Sequence, residues 1–426
     1  MVTSPSGMRR PLARESQTSD PWGRYYTEPI VSRALIERID VAKPKLVLEL
    51  GSGSGSLCNV AADRWQHANL VTVDVDRSAS KRLDNGNVGQ QRRHSHFVHD
   101  VLDSALSDKI GVTLGTVDVA VCNPPYIRPR WRSDFGNILE GAGLSGTLTS
   151  VHDAGADLLF LAQNLRLLRR KGKLGLILPD GLITAEKFSR LRQNLLRQHL
   201  IEQVIQLPRG VFKGTQAQTY LAVLSKMAGE TDQVTLSQMG HDGQLCTPIK
   251  VFQDAAVKRL DYIFHSQVNS PNRNGNSVPQ MAVKQALTAV VRGTICSSSI
   301  AAFPAPVFHL RDFAKPIGEH DVRTVPKRFA LGVRAAQHLA QEVKLALPGD
   351  ILVARVGRAL EQRLALVVHG PCVISDCVFA LRAKEEHRES LYQFFDSDRG
   401  RSALASSAHG VAARFLSKTN LFEIQF

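Results

Sequence analysis

The sequence predicts an α/β fold, a doubly wound and mainly parallel sheet followed by a second, mixed α+β domain. Three observations carry the prediction. Short apolar runs alternate with amphipathic stretches from about residue 25 to residue 227, the pattern of buried parallel strands joined by covering helices. A glycine-rich turn, Gly51-Ser52-Gly53-Ser54-Gly55, follows the first of those runs directly. Beyond Met227 the alternation breaks, and strand character returns only near residue 350.

Taken in order, residues 1–24 are rich in Ser, Pro and Arg. They lack the apolar stretch of a signal peptide and read as a flexible segment. Helices are expected at 30–39, 154–168 and 185–199, where apolar residues recur at spacings of three and four. Strands are expected at 46–50, 70–74, 117–122, 174–178, 201–207 and 218–224, short and apolar as strands buried on both faces should be. These elements define a first domain over 25–228 and a doubly wound sheet. Residues 229–302 read as a connecting region, whose 266–280 stretch, SQVNSPNRNGNSVPQ, is a linker by composition. The last domain, 303–426, is expected to hold strands at 350–356, 364–368 and 372–381 and a helix at 389–406.

A chain of 426 residues has room for two or three such domains. Its 53 Lys and Arg against 39 Asp and Glu give a net charge of +14, a field that attracts polyanions and makes nucleic acid the leading partner. With 43% hydrophobic and 22% charged residues, a disordered, collagen-like or coiled-coil chain is excluded. Six cysteines without a C-x-x-C pair write neither a zinc ribbon nor a disulfide framework, which fits a reducing, cytoplasmic setting. No apolar run approaches a membrane-spanning length, so no membrane partner is expected.

The chemistry is concentrated at strand ends. In the glycine loop, Gly51, Gly53 and Gly55 let the backbone turn tightly and approach a ligand. The third glycine of a nicotinamide fingerprint is missing, because Ser56 stands there. Asp74 ends the next strand, where a carboxylate can accept from both hydroxyls of a ribose. Glu49 lies inside the first strand and needs a partner if buried, either the loop or a ligand amino group. The sharpest signal is Asn123-Pro124-Pro125-Tyr126, which ends the strand at 117–122. A given tetrapeptide is expected roughly 0.003 times by chance in a chain this long. The two prolines stiffen the turn, so the Asn123 side-chain oxygen and the Pro124 carbonyl can both accept from one NH₂ group while Tyr126 offers a stacking face. The site suits a planar ring that bears an exocyclic amine.

These residues, from Gly23 to Lys226, resemble the S-adenosylmethionine-dependent adenine-N6 DNA methyltransferases of the gamma motif order. The resemblance implies a Rossmann-like methyltransferase sheet and S-adenosylmethionine as cofactor. It makes Thr27, in Tyr25-Tyr26-Thr27-Glu28-Pro29, a contact of the methionine end, Asp74 the ribose acid and Asp100 the acid that meets the cofactor's adenine. Asn123, Pro124, Pro125 and Tyr126 match the catalytic tetrad, with Asn123 also beside the cofactor. Leu178-Pro179-Asp180-Gly181 and the stretch 207–215 are similar to segments of type I modification subunits, and Phe212 matches the aromatic that faces the flipped base. The Glu49-Leu50-Gly51-Ser52-Gly53 start is also similar to RNA and protein methyltransferases.

Type I modification subunits carry a long helical domain ahead of the cofactor segment, and here 24 residues precede Tyr25. The tail suggests another arrangement. The stretches 348–357 and 373–376, with Gly410 and Arg414-Phe415-Leu416, are similar to the target-recognition domain of type I specificity subunits. Modification and recognition would then share one chain, with double-stranded DNA as partner and room for a separate restriction endonuclease. Arg128, Arg130 and Arg132 interleave with Trp131, and Arg355 and Arg358 flank an expected strand end; these five are the candidate DNA contacts, beside a cation-rich stretch at 323–334. His94, His96 and His99 sit at strand-like spacing with only Asp100 as a nearby acid, so no metal site is expected, and methyl transfer from a sulfonium needs none. The expected reaction is methylation of adenine N6 in duplex DNA after base flipping, within a restriction-modification or related system. Glutamine-N5 methylation of release factors and guanine-N2 methylation of RNA are the alternatives that share this tetrad chemistry.

Overall fold

The computed structural model describes residues 27–79, 83, 93–212, 215, 217–268, 281–314, 322–409 and 414–426. The expected segment at 1–24, most of the 266–280 linker, and Tyr25, Tyr26, Lys213, Gly214 and Gly410 lie outside them.

The strands of the first domain are β1 (Leu46–Leu50), β2 (Asn69–Asp74), β3 (His94–Val98), β4 (Val117–Cys122), β5 (Leu168–Pro179), β6 (Leu200–Gln206), β7 (Thr219–Ser225), β8 (Gln233–Gln238) and β9 (Ile249–Phe252). They form one sheet in the order β3-β2-β1-β4-β5-β7-β6-β8-β9. Pairing is parallel from β3 through β5, while β7 inserts antiparallel between β5 and β6. Successive residues of a strand serve opposite faces. Leu48, Leu50, Ala120 and Cys122 join the core on one face, and Val47, Val119 and Val121 the core on the other. The helices Pro29–Glu37 and Ser56–Arg64 bury Val31, Leu35, Leu57 and Ala61 on the second face. The helices Ala156–Leu167 and Ser189–Gln198 bury Leu158, Leu161, Leu191 and Leu195 on the first. Burial on both faces makes the sheet a doubly wound, Rossmann-like one.

The sheet runs past residue 228, where the sequence reading ends the domain. β8 pairs parallel with β6, β9 pairs with β8, and Val234, Leu236, Val251, Ala256 and Leu260 enter the same core. Arg192 shows the same continuity, its guanidinium donating to the carbonyls of Leu182, Ala185, Val257 and Lys258. Residues 229–268 thus complete the first sheet instead of connecting two domains.

The tail is built on β10 (Leu287–Arg292), β11 (Val307–Phe308), β12 (Leu345–Ala346), β13 (Ile351–Ala354), β14 (Val356–Gly357), β15 (Leu364–Leu366), β16 (Cys372–Ile374), β17 (Val378–Ala383) and β18 (Arg414–Phe415). A four-stranded sheet, β10-β17-β13-β15, lies beside a three-stranded one, β11-β16-β12, and a β14-β18 pair. Because β10 belongs to the larger of these sheets, the tail domain begins before residue 303. The expected helix at 389–406 is two, Arg388–Asp396 and Asp398–Ser407, separated where Ser397 turns extended and caps Gly400. The expected strand at 372–381 is likewise broken by a turn at 375–377. The helix Asp398–Ser407 packs against Tyr262–Val268, so the tail seats on the end of the first domain.

Candidate active site

Strand β1 pairs with β2 on one side and β4 on the other, so the chain changes winding direction between β1 and β4. The carboxyl ends of such neighbours diverge and leave a crevice. A cavity of about 370 Å³ opens there, and Thr27, Glu49, Gly51, Gly53, Asp74, Asp100, Asn123, Pro124 and Pro125 all line it. Residues nearly a hundred positions apart in sequence are thereby brought onto one wall.

The glycine loop is held by the strand it crosses. Gly51 N–H donates to the Val73 carbonyl at 2.8 Å, and Gly51, Gly53 and Gly55 all take positive φ. Only glycine adopts that conformation without cost. At Gly51 a Cβ would also meet the Phe160 ring at 3.0 Å. Asp74 is 6% exposed, and its carboxylate accepts from Gly53 N–H at 2.7 Å and Asp76 N–H at 2.8 Å. It therefore ties the loop to the end of β2 and keeps further lone pairs on the cavity side.

Glu49 is 2% exposed, and its Oε2 has no hydrogen-bond partner. Burial, only partly offset by hydrogen bonds with the Cys58 thiol and backbone N–H, pushes its carboxyl up to about 8. Ser52 Oγ is a second buried polar atom on this wall without a partner. Sequence reading singled out Glu49 but missed Ser52, whose place between two loop glycines was its one signal. Phe160 and Phe135, also on the wall, were legible only as core-facing apolar residues.

The tetrad follows β4 directly. The Asn123 side-chain amide donates to Thr27 Oγ1 at 3.0 Å, and the Tyr126 hydroxyl donates to Asn123 Oδ1 at 3.3 Å. The expected acceptor oxygen of Asn123 thus takes the tyrosine hydroxyl in this state. Pro124 and Pro125 stand on the cavity wall, and Tyr126 is half-buried beside it.

Three expected residues, Phe212, Arg132 and Arg355, are placed differently from the sequence reading. Phe212 is 2% exposed and sits in the core with Ile205, Leu207, Leu221 and Met239. It is not among the residues that line the cavity. Arg132 is not a free cation for phosphate: its guanidinium donates to Asp100 Oδ2 and to the Leu102 carbonyl, each at 2.8 Å. The Asp100 carboxylate, which also accepts from Leu102 N–H, is correspondingly shared with Arg132. Arg355 is half-buried, with Nε donating to the Asp376 carbonyl at 2.7 Å. Arg128 is exposed and faces Asp153 at 3.5 Å, Arg130 is exposed on the cavity rim, and Arg358 is exposed on the tail. His94 and His96 both bond to Thr72 Oγ1, at 2.8 and 2.9 Å.

A doubly wound sheet with its antiparallel seventh strand, a glycine loop, an acid after β2 and the Asn123–Tyr126 tetrad after β4 together place the fold in the Rossmann-like methyltransferase class. The match to known proteins sharpens the class. Residues 12–284 match the N-6 DNA Methylase family, and the chain belongs to it. The methylase subunit of the type I restriction enzyme EcoEI from Escherichia coli is 23% identical over 214 residues, covering 47% of this chain and 42% of that protein. The type II methyltransferase M.XamI from Xanthomonas campestris pv. amaranthicola is 27% identical over 247 residues, covering 54% of this chain and 42% of the relative. The matched region is thus under half the length of either relative. Among solved structures, the type IIG restriction endonuclease BpuSI is matched over 93% of this chain and 57% of its own, at 12% identity and a TM-score of 0.48.

Proposed function

We propose that the chain transfers a methyl group from S-adenosylmethionine to the N6 amine of adenine in double-stranded DNA, within a restriction-modification or related system. The observation that carries this reading is the single cavity wall shared by the glycine loop, Asp74 and the Asn123–Pro125 end of the tetrad. Membership of the N-6 DNA Methylase family supports the same substrate class.

The cavity residues fit the cofactor. Glu49 and Ser52 offer buried polar atoms without partners, Asp74 offers acceptor lone pairs to a ribose, and Gly51 and Gly53 leave the loop backbone bare. Bound S-adenosylmethionine supplies a methyl group on a sulfonium. The chain's own part is binding and orientation. Asn123 Oδ1 and the Pro124 carbonyl accept the amine hydrogens, which favours a tetrahedral nitrogen and directs its lone pair toward the methyl group. Tyr126 stacks on the extruded base, and stacking worth roughly 1–3 kcal/mol offsets much of the few kcal/mol that flipping costs. Phe212, packed in the core, is left out of this step. Of the candidate arginines, Arg130 and Arg358 are exposed, and Arg128 is exposed with only a long contact to Asp153, so these three are proposed to meet the DNA backbone. The tail domain is the proposed reader of sequence, and a separate restriction endonuclease is the expected partner in a complete system.

The deciding experiment is nucleoside mass spectrometry on DNA and RNA from a host that expresses the chain. N6-methyladenine in DNA, at one sequence context by single-molecule sequencing, is the expected result. Methylation confined to RNA, or N4-methylcytosine in DNA, overturns the assignment.

A further inference from the structure

Glu49 has an environment unlike the other acids of the cavity. The carboxylates of Asp74 and Asp100 each accept two hydrogen bonds, from Gly53 and Asp76 and from Leu102 and Arg132. Glu49, on β1 between β2 and β4, is met by the Cys58 thiol and the Cys58 backbone N–H, and keeps its Oε2 unpartnered at the cavity wall. The groups that face it are the Cys58 thiol from the helix Ser56–Arg64, the Asp74 carboxylate from β2 and the Cys122 thiol from β4. Among the described residues no cation joins them. A carboxyl buried without a counter-ion, beside a like charge, holds its proton at neutral pH. The value of about 8 given above agrees with that geometry.

Resting on the reading of this cavity as the S-adenosylmethionine site, we propose that Glu49 is neutral in the free protein and ionises when the ammonium of the cofactor's methionine end docks against it. The O–H bond of the Glu49 carboxyl breaks, the proton passes to the buffer, and the carboxylate pairs with the ammonium in the cavity. Cofactor capture is thereby coupled to release of one proton. The missing counter-ion of the buried acid is then the ligand itself, which lets the cavity reject nucleosides that lack an amino-acid end.

The sign of the pH dependence follows. Below about 8 the free protein must lose a proton to bind, so affinity tightens about tenfold per pH unit between pH 6 and 7. The gain ends near pH 8, where Glu49 is already ionised and a free α-amino group, with an ordinary value of about 7.7–8.0, begins to lose its own charge.

Calorimetric titration of the full chain at pH 6.5, in buffers of different ionisation enthalpy, tests this with S-adenosylhomocysteine and 5′-methylthioadenosine as probes. The first keeps the amino-acid end and the second lacks it. Release of about one proton with S-adenosylhomocysteine and none with 5′-methylthioadenosine is expected, and Glu49→Gln abolishes the release. S-adenosylhomocysteine binding without proton release, or equal release from Glu49→Gln, overturns the proposal while leaving the cofactor site standing. Binding of neither probe overturns the cofactor reading and the proposal together. The pH dependence of S-adenosylhomocysteine affinity in the unmodified chain reads the same linkage independently of the variant, and a flat profile from pH 6 to 7 overturns it.

Discussion

Hydrogen bonds to Thr27 and from Tyr126 bear on what Asn123 can do. Its amide is anchored on Thr27, and Oδ1, the atom proposed to receive the substrate amine, holds the Tyr126 hydroxyl at 3.3 Å. Asn123→Ala is expected to abolish methyl transfer while DNA and cofactor binding persist, because the side chain acts on the amine and not on phosphate. Parallel loss of DNA binding in a mobility-shift assay would sink that division. Tyr126→Phe keeps the stacking ring and frees Oδ1 of a competitor. A bond this long is at the weak end of the hydrogen-bond range. The variant should therefore lower KM for DNA about threefold with kcat unchanged, and a raised KM in steady-state assays would show that the hydroxyl serves the substrate instead.

At the scale of elements, the glycine loop owes its shape to three left-handed residues and one close approach. Gly51→Ala places a Cβ at 3.0 Å from Phe160 on a backbone with φ of 76°. Left-handed strain alone costs roughly 1–2 kcal/mol. A lower melting temperature together with weakened cofactor binding is expected, and an unchanged melting curve would contradict the strain argument. The same loop explains what sequence reading delivers. Strands buried on both faces, such as β1 and β4, announce themselves as apolar runs, and the turns that follow them line the cavity. β3 (His94–Val98) escaped as a strand because it lies at the sheet edge and carries two histidines turned toward Thr72. β8 and β9 escaped because polar residues interrupt them, and they are strands only through the neighbours they extend. At the site, Asp74, Glu49 and the tetrad are singled out by their position along the chain, and Asp74, Glu49 and Asn123–Pro125 line one cavity. The turn that buries Phe212 and the pairing of Arg132 with Asp100 depend on tertiary contacts that no local pattern encodes.

At the scale of the whole molecule, the seam between the first sheet and the tail is polar and buried. His409 from the tail is held down to about 4 by burial and by Arg259, with Asp261 opposing and Arg192 adding to the effect. His199, under the first domain, is held down to about 4 by burial and by Lys226. A histidine lowered from its ordinary 6.5 contributes stability above that value, which is lost as pH falls from 6.5 toward 4. Hydrogen exchange should therefore show the seam opening across this window, and His409→Gln should flatten the acid limb. Equal acid sensitivity in that variant would remove His409 as a cause. The tail's two candidate arginines then separate by their surroundings. Arg355 is half-buried, bonded to the Asp376 carbonyl, and its backbone pairs with Cys377 and Leu416. Arg358, three residues on, is exposed beyond β14. A protein with net charge +14 that neutralises phosphates loses DNA affinity with salt, by a slope of about 0.9 per contact on logarithmic axes. Arg358→Ala is accordingly expected to reduce that slope by about 0.9 with an unchanged melting temperature. Arg355→Ala should instead lower the melting temperature, since its guanidinium is committed to holding the 375–377 turn. Binding isotherms at several salt concentrations decide the matter, because an unaltered slope in Arg358→Ala would move the DNA contact elsewhere on the tail.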